Sequence, residues 1–362
     1  MNQIQIPSGT RDLFPEDCVK KETLRQKIFQ VFESYGFRQI ETPLLEFYST
    51  YQNTYTSLKE ETMYKFVDEN GQILALRTDM TLPIARVCVS KYANVAPPLR
   101  FSYCSNVYKV RQAFAGKRNE VTDCGVELIG LDSSSDLEVL CCALDVMETW
   151  GVPDYILEIG NSDFYKLAVS QAGISAEDAA VLADLIDRKA IPETAEKLKG
   201  MDLSEEIRAF FLKLPLMNGK NALQEAEEYS FSEELKKEAG RLMKLYEDLK
   251  ALGYDSHVEF DLGKVPHLDY YTGIIFSGYV SGIGTSVLSG GRYDQLLKKL
   301  GRDLPAVGFG VKLDILLDAL QSEEKPVRKL YYKPDQIVDA LRRAKEMRKE
   351  GPVELVPEEA GK

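Results

Sequence analysis

Asp123, Gly125 and Glu127 stand at alternate positions of one strand-like stretch, so in a strand all three point to the same face. Asp123 and Glu127, with Asp79, make a set of carboxylates able to line one cavity, where ionised oxygens would receive an N–H donor. Taken singly, each would be a helix cap or a solvated strand residue. Two later phrases add hydroxyls and glycines: Leu268-Asp269-Tyr270-Tyr271-Thr272-Gly273 and Ser289-Gly290-Gly291-Arg292-Tyr293-Asp294. Isolated tyrosines are ordinary core aromatics; within its phrase Tyr271 is expected at a pocket. Other chemistries lack their residues. The two histidines, His257 and His267, are too few for a zinc site or a His-based triad and read as incidental. None of the six cysteines forms a C-x-x-C pair, and all six read as reduced, buried thiols. No metal and no cofactor is expected.

Such a set needs a sheet to hold it. Apolar positions at helical spacing (Val19, Leu24, Ile28, Val31, Phe32, Tyr35) predict a helix over 17–35, stopped by Gly36. A strand follows over 37–45, through Pro43. Residues 63–67 and 73–77 flank Asp68-Glu69-Asn70-Gly71 as a hairpin. A helix over 79–91 precedes strands over 99–110 and 122–128, which are joined by a charged loop. A helix over 135–150, capped by Ser133 or Ser134, leads to a strand over 155–159. From about 162 to 252 strand signals nearly vanish, and 179–186, 205–214 and 233–252 read as helices of an insertion. Strand and turn signals return from His257 to Val311. After Lys325-Pro326 the tail reads as strand (329–333), helix (335–349) and strand (352–356). It is too small to bury much by itself and should pack on a neighbour. The expected division is a core over 1–322 and a β-α-β tail over 323–362.

The chain is 44% hydrophobic and 28% charged, the balance of a globular protein. No apolar run approaches the ~20 residues of a membrane helix, and the start lacks a secretory signal, so a cytoplasmic protein is expected, with no membrane partner. The net charge of −12 disfavours nonspecific nucleic-acid binding.

Gly9-Thr10-Arg11-Asp12-Leu13-Phe14-Pro15-Glu16-Asp17 and the two tyrosine and glycine phrases together resemble the core of histidyl-tRNA synthetase, a class II synthetase. The run from Glu33 to Pro43 looks like class II motif 1, which in that family builds the dimer interface. The resemblance implies an α/β (α+β) fold, a class II synthetase-like antiparallel sheet flanked by helices and carrying a helical insertion, and a tail similar to a truncated anticodon-binding domain. It also implies a pocket for free histidine. Leu76-Arg77-Thr78-Asp79-Met80-Thr81 aligns with the family's L-R-P-E-G-T, which sets Asp79 and Thr81 against the α-amino group. Asp123 replaces a glutamine that also serves the amino group. Glu127 keeps the carboxylate that meets the imidazole, Tyr271, beside Tyr270, meets the other ring nitrogen, and Gly290 and Gly291 let backbone approach the ligand.

The ATP side departs from the family. Its motif 2 arginine aligns with Lys109, which lacks a bidentate grip, and the glutamate that follows aligns with Arg111. A second arginine aligns with Pro266, and that of motif 3 with Ile315. Adenylation develops charge on the α-phosphate, and losing even one donor there typically costs ~10²–10³ in rate. Catalysis by this chain is therefore not expected. A kept amino-acid side with a lost ATP side resembles the HisZ family, regulatory subunits of ATP phosphoribosyltransferase in the first step of histidine biosynthesis. That implies a hetero-oligomer with the short-form catalytic subunit (HisG), activation of it, self-association as a dimer, free histidine as ligand, and no tRNA. A histidine–tRNA ligase, another class II-like adenylating ligase and a ligand-free scaffold stay open as alternatives.

Overall fold

Helix α1 (Pro15–Ser34) follows its apolar stripe: Leu24, Ile28, Phe29 and Phe32 are buried, proline opens its first turn beside Glu16 and Asp17, and Gly36 at φ 77° ends it. The computed structural model describes residues 5–55, 60–110, 118–265, 271–319 and 327–358. Strands β1 (Arg38–Gln39) and β2 (Leu45–Phe47) come next, then α2 (Tyr48–Thr54), β3 (Lys65–Val67), β4 (Ile73–Leu76) and α3 (Thr81–Ser90). The long pair β5 (Leu99–Tyr108) and β6 (Glu120–Ile129) leads to α4 (Asp136–Glu148) and β7 (Tyr155–Asn161). The insertion holds α5 (Ser162–Gln171), α6 (Ala176–Asp187), α7 (Ile191–Lys199), α8 (Glu205–Lys213), the short β8 (Asn218–Gly219), α9 (Ala222–Tyr229) and α10 (Glu233–Ala251). Then come β9 (Val258–Asp261), β10 (Ile274–Val280), β11 (Leu288–Arg292), α11 (Asp294–Lys299), β12 (Ala306–Lys312) and α12 (Leu313–Ala319). The tail is β13 (Arg328–Tyr332), α13 (Ile337–Met347) and β14 (Val353–Pro357).

Nine strands form one sheet in the order β1-β5-β6-β12-β11-β10-β7-β9-β8. Its pairings are antiparallel except β1 with β5 and β7 with β9. The mainly antiparallel sheet flanked by helices that the resemblance implied is thus the observed architecture. The hairpin around Asp68–Gly71 forms the β3–β4 pair of a small second sheet, completed by β2. Alternation along β6 divides the two sides of the main sheet. Cys124, Val126 and Leu128 join the larger apolar cluster with α1, α4 and the insertion helices. Tyr103 and Phe101 of β5 face the smaller cluster with α3 and α11.

Local differences have local causes. The strand expected over 37–45 is two short strands in different sheets, because Pro43 cannot donate to a ladder. The side chain that caps the turn before α4 is Asp132, which accepts from the Ser134 N–H; Ser133 and Ser134 already lie inside a 3₁₀ turn. Helices α5, α7 and α9 add to the three read in the insertion. The cysteines differ most from expectation. Cys104 and Cys124 stand opposite each other on β5 and β6 and form a disulfide, and Cys18 is exposed; Cys88, Cys141 and Cys142 are the buried free thiols. The tail has its own cluster around Leu330, Ala344 and Val353 and leaves Tyr331, Val338 and Leu341 exposed. The expected boundary at 322/323 lies outside the described residues. Among those residues no helix is long and apolar enough to cross a membrane.

Candidate functional site

A cavity with about 270 Å³ of empty space, its mouth included, opens on the α3 and α11 side of the sheet. Thr81, Tyr103, Glu127, Tyr271 and Tyr293 line it, together with glycines of β11 and β12. Strand β6 delivers Glu127 to the bottom, where it is 2% exposed. Its Oε1 accepts from Thr81 Oγ1 at 2.8 Å, and its Oε2 accepts from the Tyr293 hydroxyl. Burial pushes the Glu127 carboxyl up to about 8, against the pull of the Tyr293 and Thr81 hydrogen bonds. Burial holds Tyr103 and Tyr293 well above the ordinary phenol range, so both keep their protons. The pocket thus joins phenol donors to a carboxyl that changes charge near neutrality, a combination suited to an N–H heterocycle.

Of the amino-group candidates, Thr81 is in the wall, whereas Asp79 and Asp123 sit around this centre. Asp79 lies at the entry to α3, where Oδ1 accepts from the Leu82 N–H at 2.9 Å and Oδ2 from Thr78 Oγ1 at 3.0 Å. Asp123 is half-buried, one alternation from Gly125 and facing Gly310, a residue of the cavity wall. Burial pushes its carboxyl up to about 6, while the charges of Lys109 and Lys312 pull it down. Lys109 is half-buried at the end of β5 and within electrostatic reach of Asp123. Of the sequence candidates, then, Thr81, Glu127, Tyr271, Gly290 and Gly291 line the cavity, Asp79, Asp123 and Lys109 flank it, and Tyr270 lies outside the described residues.

The glycines serve the packing of the wall as much as access to a ligand. A Cβ on Gly290 would stand 2.4 Å from the Gly308 carbonyl, and one on Gly291 2.8 Å from the Tyr271 ring. Across the sheet a Cβ on Gly308 would meet Glu127 Oε2 at 2.0 Å and the Val126 carbonyl at 2.4 Å. Gly308→Ala is accordingly expected to displace Glu127, remove ligand binding and cost about 1–3 kcal/mol of stability by overpacking. Chemical denaturation and a ligand titration on one preparation would check it; unchanged binding would mean that Glu127 is not fixed by this contact.

Tyr103 and Tyr293 were given no role by sequence reasoning. Tyr293 belongs to the Ser289–Asp294 phrase, and alternation past Gly291 was the signal available for it. For Tyr103 only the β5–β6 register, which sets it opposite Gly125, brings it into the wall. Behind the wall Arg292 is 3% exposed, and its Nε donates to Asp136 Oδ1 at 2.8 Å. Its Nη atoms reach the Leu131 and Asp132 carbonyls and Asp294. The other Asp136 oxygen lies 3.8 Å from Arg241 of α10, whose neighbour Glu238 accepts from Asn161 at 2.6 Å. At the mouth, the Tyr271 carbonyl accepts from Ser162 Oγ at 3.2 Å and Lys166 Nζ at 2.5 Å, both on α5. The cavity is therefore tied to the helical insertion on two sides.

The positions that the resemblance aligns with ATP-gripping arginines can be placed only in part. Ile315, on α12, packs against the larger apolar cluster. Beside it, Asp314 accepts from Arg11 at 2.9 Å and also from the Thr122 N–H, and Asp318 accepts from Arg11 and Arg118, each at 2.7 Å. Arg11 and Arg118 are thus engaged with carboxylates of α12. Arg111 and Pro266 lie outside the described residues.

Comparison with known proteins shows the family and the fold. The family model described as histidyl-tRNA synthetase matches residues 9–316. An ATP phosphoribosyltransferase regulatory subunit from Bacillus cereus is 35% identical over 355 residues, covering 95% of this chain and 84% of the relative. Among solved structures, an ATP phosphoribosyltransferase regulatory subunit/histidyl-tRNA synthetase from Bacillus halodurans superposes with a TM-score of 0.90 at 32% identity, covering 99% of this chain and 94% of the other. A histidyl-tRNA synthetase from a Nostoc species shares the fold, with a TM-score of 0.80 at 20% identity over 98% of this chain and 86% of that one.

Proposed function

The chain belongs to the histidyl-tRNA synthetase family and, within it, to the ATP phosphoribosyltransferase regulatory subunits, and from that premise we propose that it activates the short catalytic subunit (HisG) and senses histidine without catalysis of its own. It acts in the first step of histidine biosynthesis, in the cytoplasm. The observation that carries the sensing role is the buried Glu127 carboxyl held between Thr81 and Tyr293. In this reading Glu127 accepts from the ligand imidazole, Tyr271 meets its far nitrogen, and Asp123, Asp79 and Thr81 offer oxygens to the α-amino group. Lys109, with Gly290 and Gly291, faces the carboxylate side. Support for the silent ATP side comes from α12, where a half-buried isoleucine packs against the larger apolar cluster and Arg11 and Arg118 are spent on Asp314 and Asp318.

Self-association belongs to the same proposal. The exposed Leu44, Leu45 and Phe47 follow the motif 1 stretch and offer an apolar surface for a two-fold interface.

Adding the protein to a short-form catalytic subunit and following product formation tests the role. Activation that histidine reverses supports it. No activation, together with ATP–pyrophosphate exchange in the presence of histidine, would instead identify a ligase.

The pocket also predicts a pH profile. Free imidazole titrates near 6.5 and the empty-pocket Glu127 near 8, so between these values binding pairs one proton with one carboxylate and exchanges none with solvent. Below that window binding must release a proton, and above it must take one up. Asp123, at about 6, weakens the acid limb further by losing its charge. Histidine affinity should therefore peak between about 6.5 and 8. Calorimetric titration across pH 5.5–9.5 in wild type and Glu127→Gln checks this, since the glutamine variant should lose the alkaline limb.

A further inference from the structure

Cys104 and Cys124 lie on the back of the strands that build the pocket wall. They are register partners, flanked by the partner pairs Tyr103–Gly125 and Ser105–Asp123, whose side chains point to the pocket side. We propose that Cys104 and Cys124 form a reversible thiol–disulfide pair whose state sets the spacing of β5 and β6 at the ligand pocket, an inference whose functional weight rests on the histidine-sensing reading.

Three observations carry it. The pair is bonded face to face across two adjacent strands. The two residues differ in burial: Cys124 is fully buried, whereas Cys104 is half-buried on β5, where the pairing with β1 ends at Ser102. In this proposal Cys104, the less buried of the two, is the residue that a soluble thiol or disulfide meets first. The other cysteines are poorly placed for exchange. Cys88, Cys141 and Cys142 are buried, which raises all three thiols, Cys88 to about 12 and Cys141 to about 11, and Cys18 sits at the start of α1, away from this pair in the chain.

The mechanical link is short. Two thiol sulfurs pack at van der Waals distance, not at bond length, so reduction obliges the side chains to turn or the strands to part. Tyr103 would transmit such a shift, because its hydroxyl fits into the space left by Gly125 and Gly310. In a reducing compartment a disulfide is usually transient and redox-sensing, which suits a device of this kind. Oxidation needs a low-molecular-weight disulfide as co-reactant. The Cys104 thiolate attacks one of its sulfurs and expels one thiol; the Cys124 thiolate then attacks the Cys104 sulfur of the mixed disulfide and expels the second. Both protons lost by the cysteines end on the two released thiols.

The test equilibrates the full chain with dithiothreitol or with oxidised glutathione, quenches by alkylation in denaturant and weighs the peptides that hold Cys104 and Cys124. Hydrogen exchange of residues 121–129 and 306–312 is followed in both states, and histidine is titrated calorimetrically. We expect the cross-linked peptide only after oxidised glutathione, slower exchange in that state, and a histidine affinity differing at least threefold between states. Cys104→Ser should erase every difference. Complete alkylation after oxidised glutathione, or identical exchange of the pocket strands in both states, would overturn the proposal. If histidine gave no heat in either state, the sensing reading would fall, while the peptides and the exchange would still decide the fate of the pair.

Discussion

Glu127→Ala is expected to abolish the response to histidine while leaving assembly with the catalytic subunit intact. Removing one partner of a buried, hydrogen-bonded charged contact costs about 2–5 kcal/mol, at least roughly thirtyfold in affinity. The loss should be selective for the imidazole, because the amino-group oxygens of Asp79 and Asp123 remain. Histidinol, which keeps ring and amine, should lose affinity with histidine, and alanine should not respond to the substitution. Stability moves the other way. The folded carboxyl titrates near 8 against an ordinary 4.5, so the native state holds an extra proton in between. Glu127 therefore favours the fold below about 4.5, and this contribution is lost as pH rises through 8. Thermal unfolding of Glu127→Gln should lack that decline. A variant fully sensitive to histidine would remove Glu127 from the pocket and with it the imidazole assignment.

Arg292→Ala is expected to be the most damaging single change away from the ligand. Its guanidinium meets Asp136, which is 1% exposed, and satisfies two carbonyls at the start of α4. Burial already pushes the Asp136 carboxyl up despite this partner. Breaking a buried pair from one side leaves a charge uncompensated and costs about 3–5 kcal/mol. Urea unfolding should show the midpoint fall by the corresponding amount, and ligand binding should weaken as well, because Tyr293 follows directly in the chain. The double change Arg292→Met with Asp136→Leu should recover much of the stability, as replacing both charges by apolar groups often does. Wild-type stability in Arg292→Ala would show that the Arg241 side of the network holds Asp136 alone.

Several features were legible before any fold was known because they depend on short-range rules. The apolar stripe of α1, the glycine that ends it and the alternation of Asp123, Gly125 and Glu127 are read from spacing alone. The hairpin around Asp68–Gly71 is read from its turn residues. Resemblance then supplied the order of the phrases, which is why Thr81, Tyr271 and Gly291 could be assigned to one pocket from positions far apart in the chain. Proline broke the 37–45 strand by removing a ladder donor, a local effect whose outcome depended on which sheet each half could join.

Tertiary structure decided what depends on register and burial. That Tyr103 faces Gly125, or that Cys104 meets Cys124, follows from the alignment of β5 on β6, and a shift of one residue would have turned every side chain to the other face. The proton affinity of Glu127 is likewise a property of its enclosure, not of its type: the same carboxyl in water would be ionised throughout the neutral range. The sequence by itself determined which groups were available to the pocket and on which strand face they lay. Only the packed sheet decided their distances, because desolvation and cross-strand pairing arise between segments that the chain separates by tens to hundreds of residues.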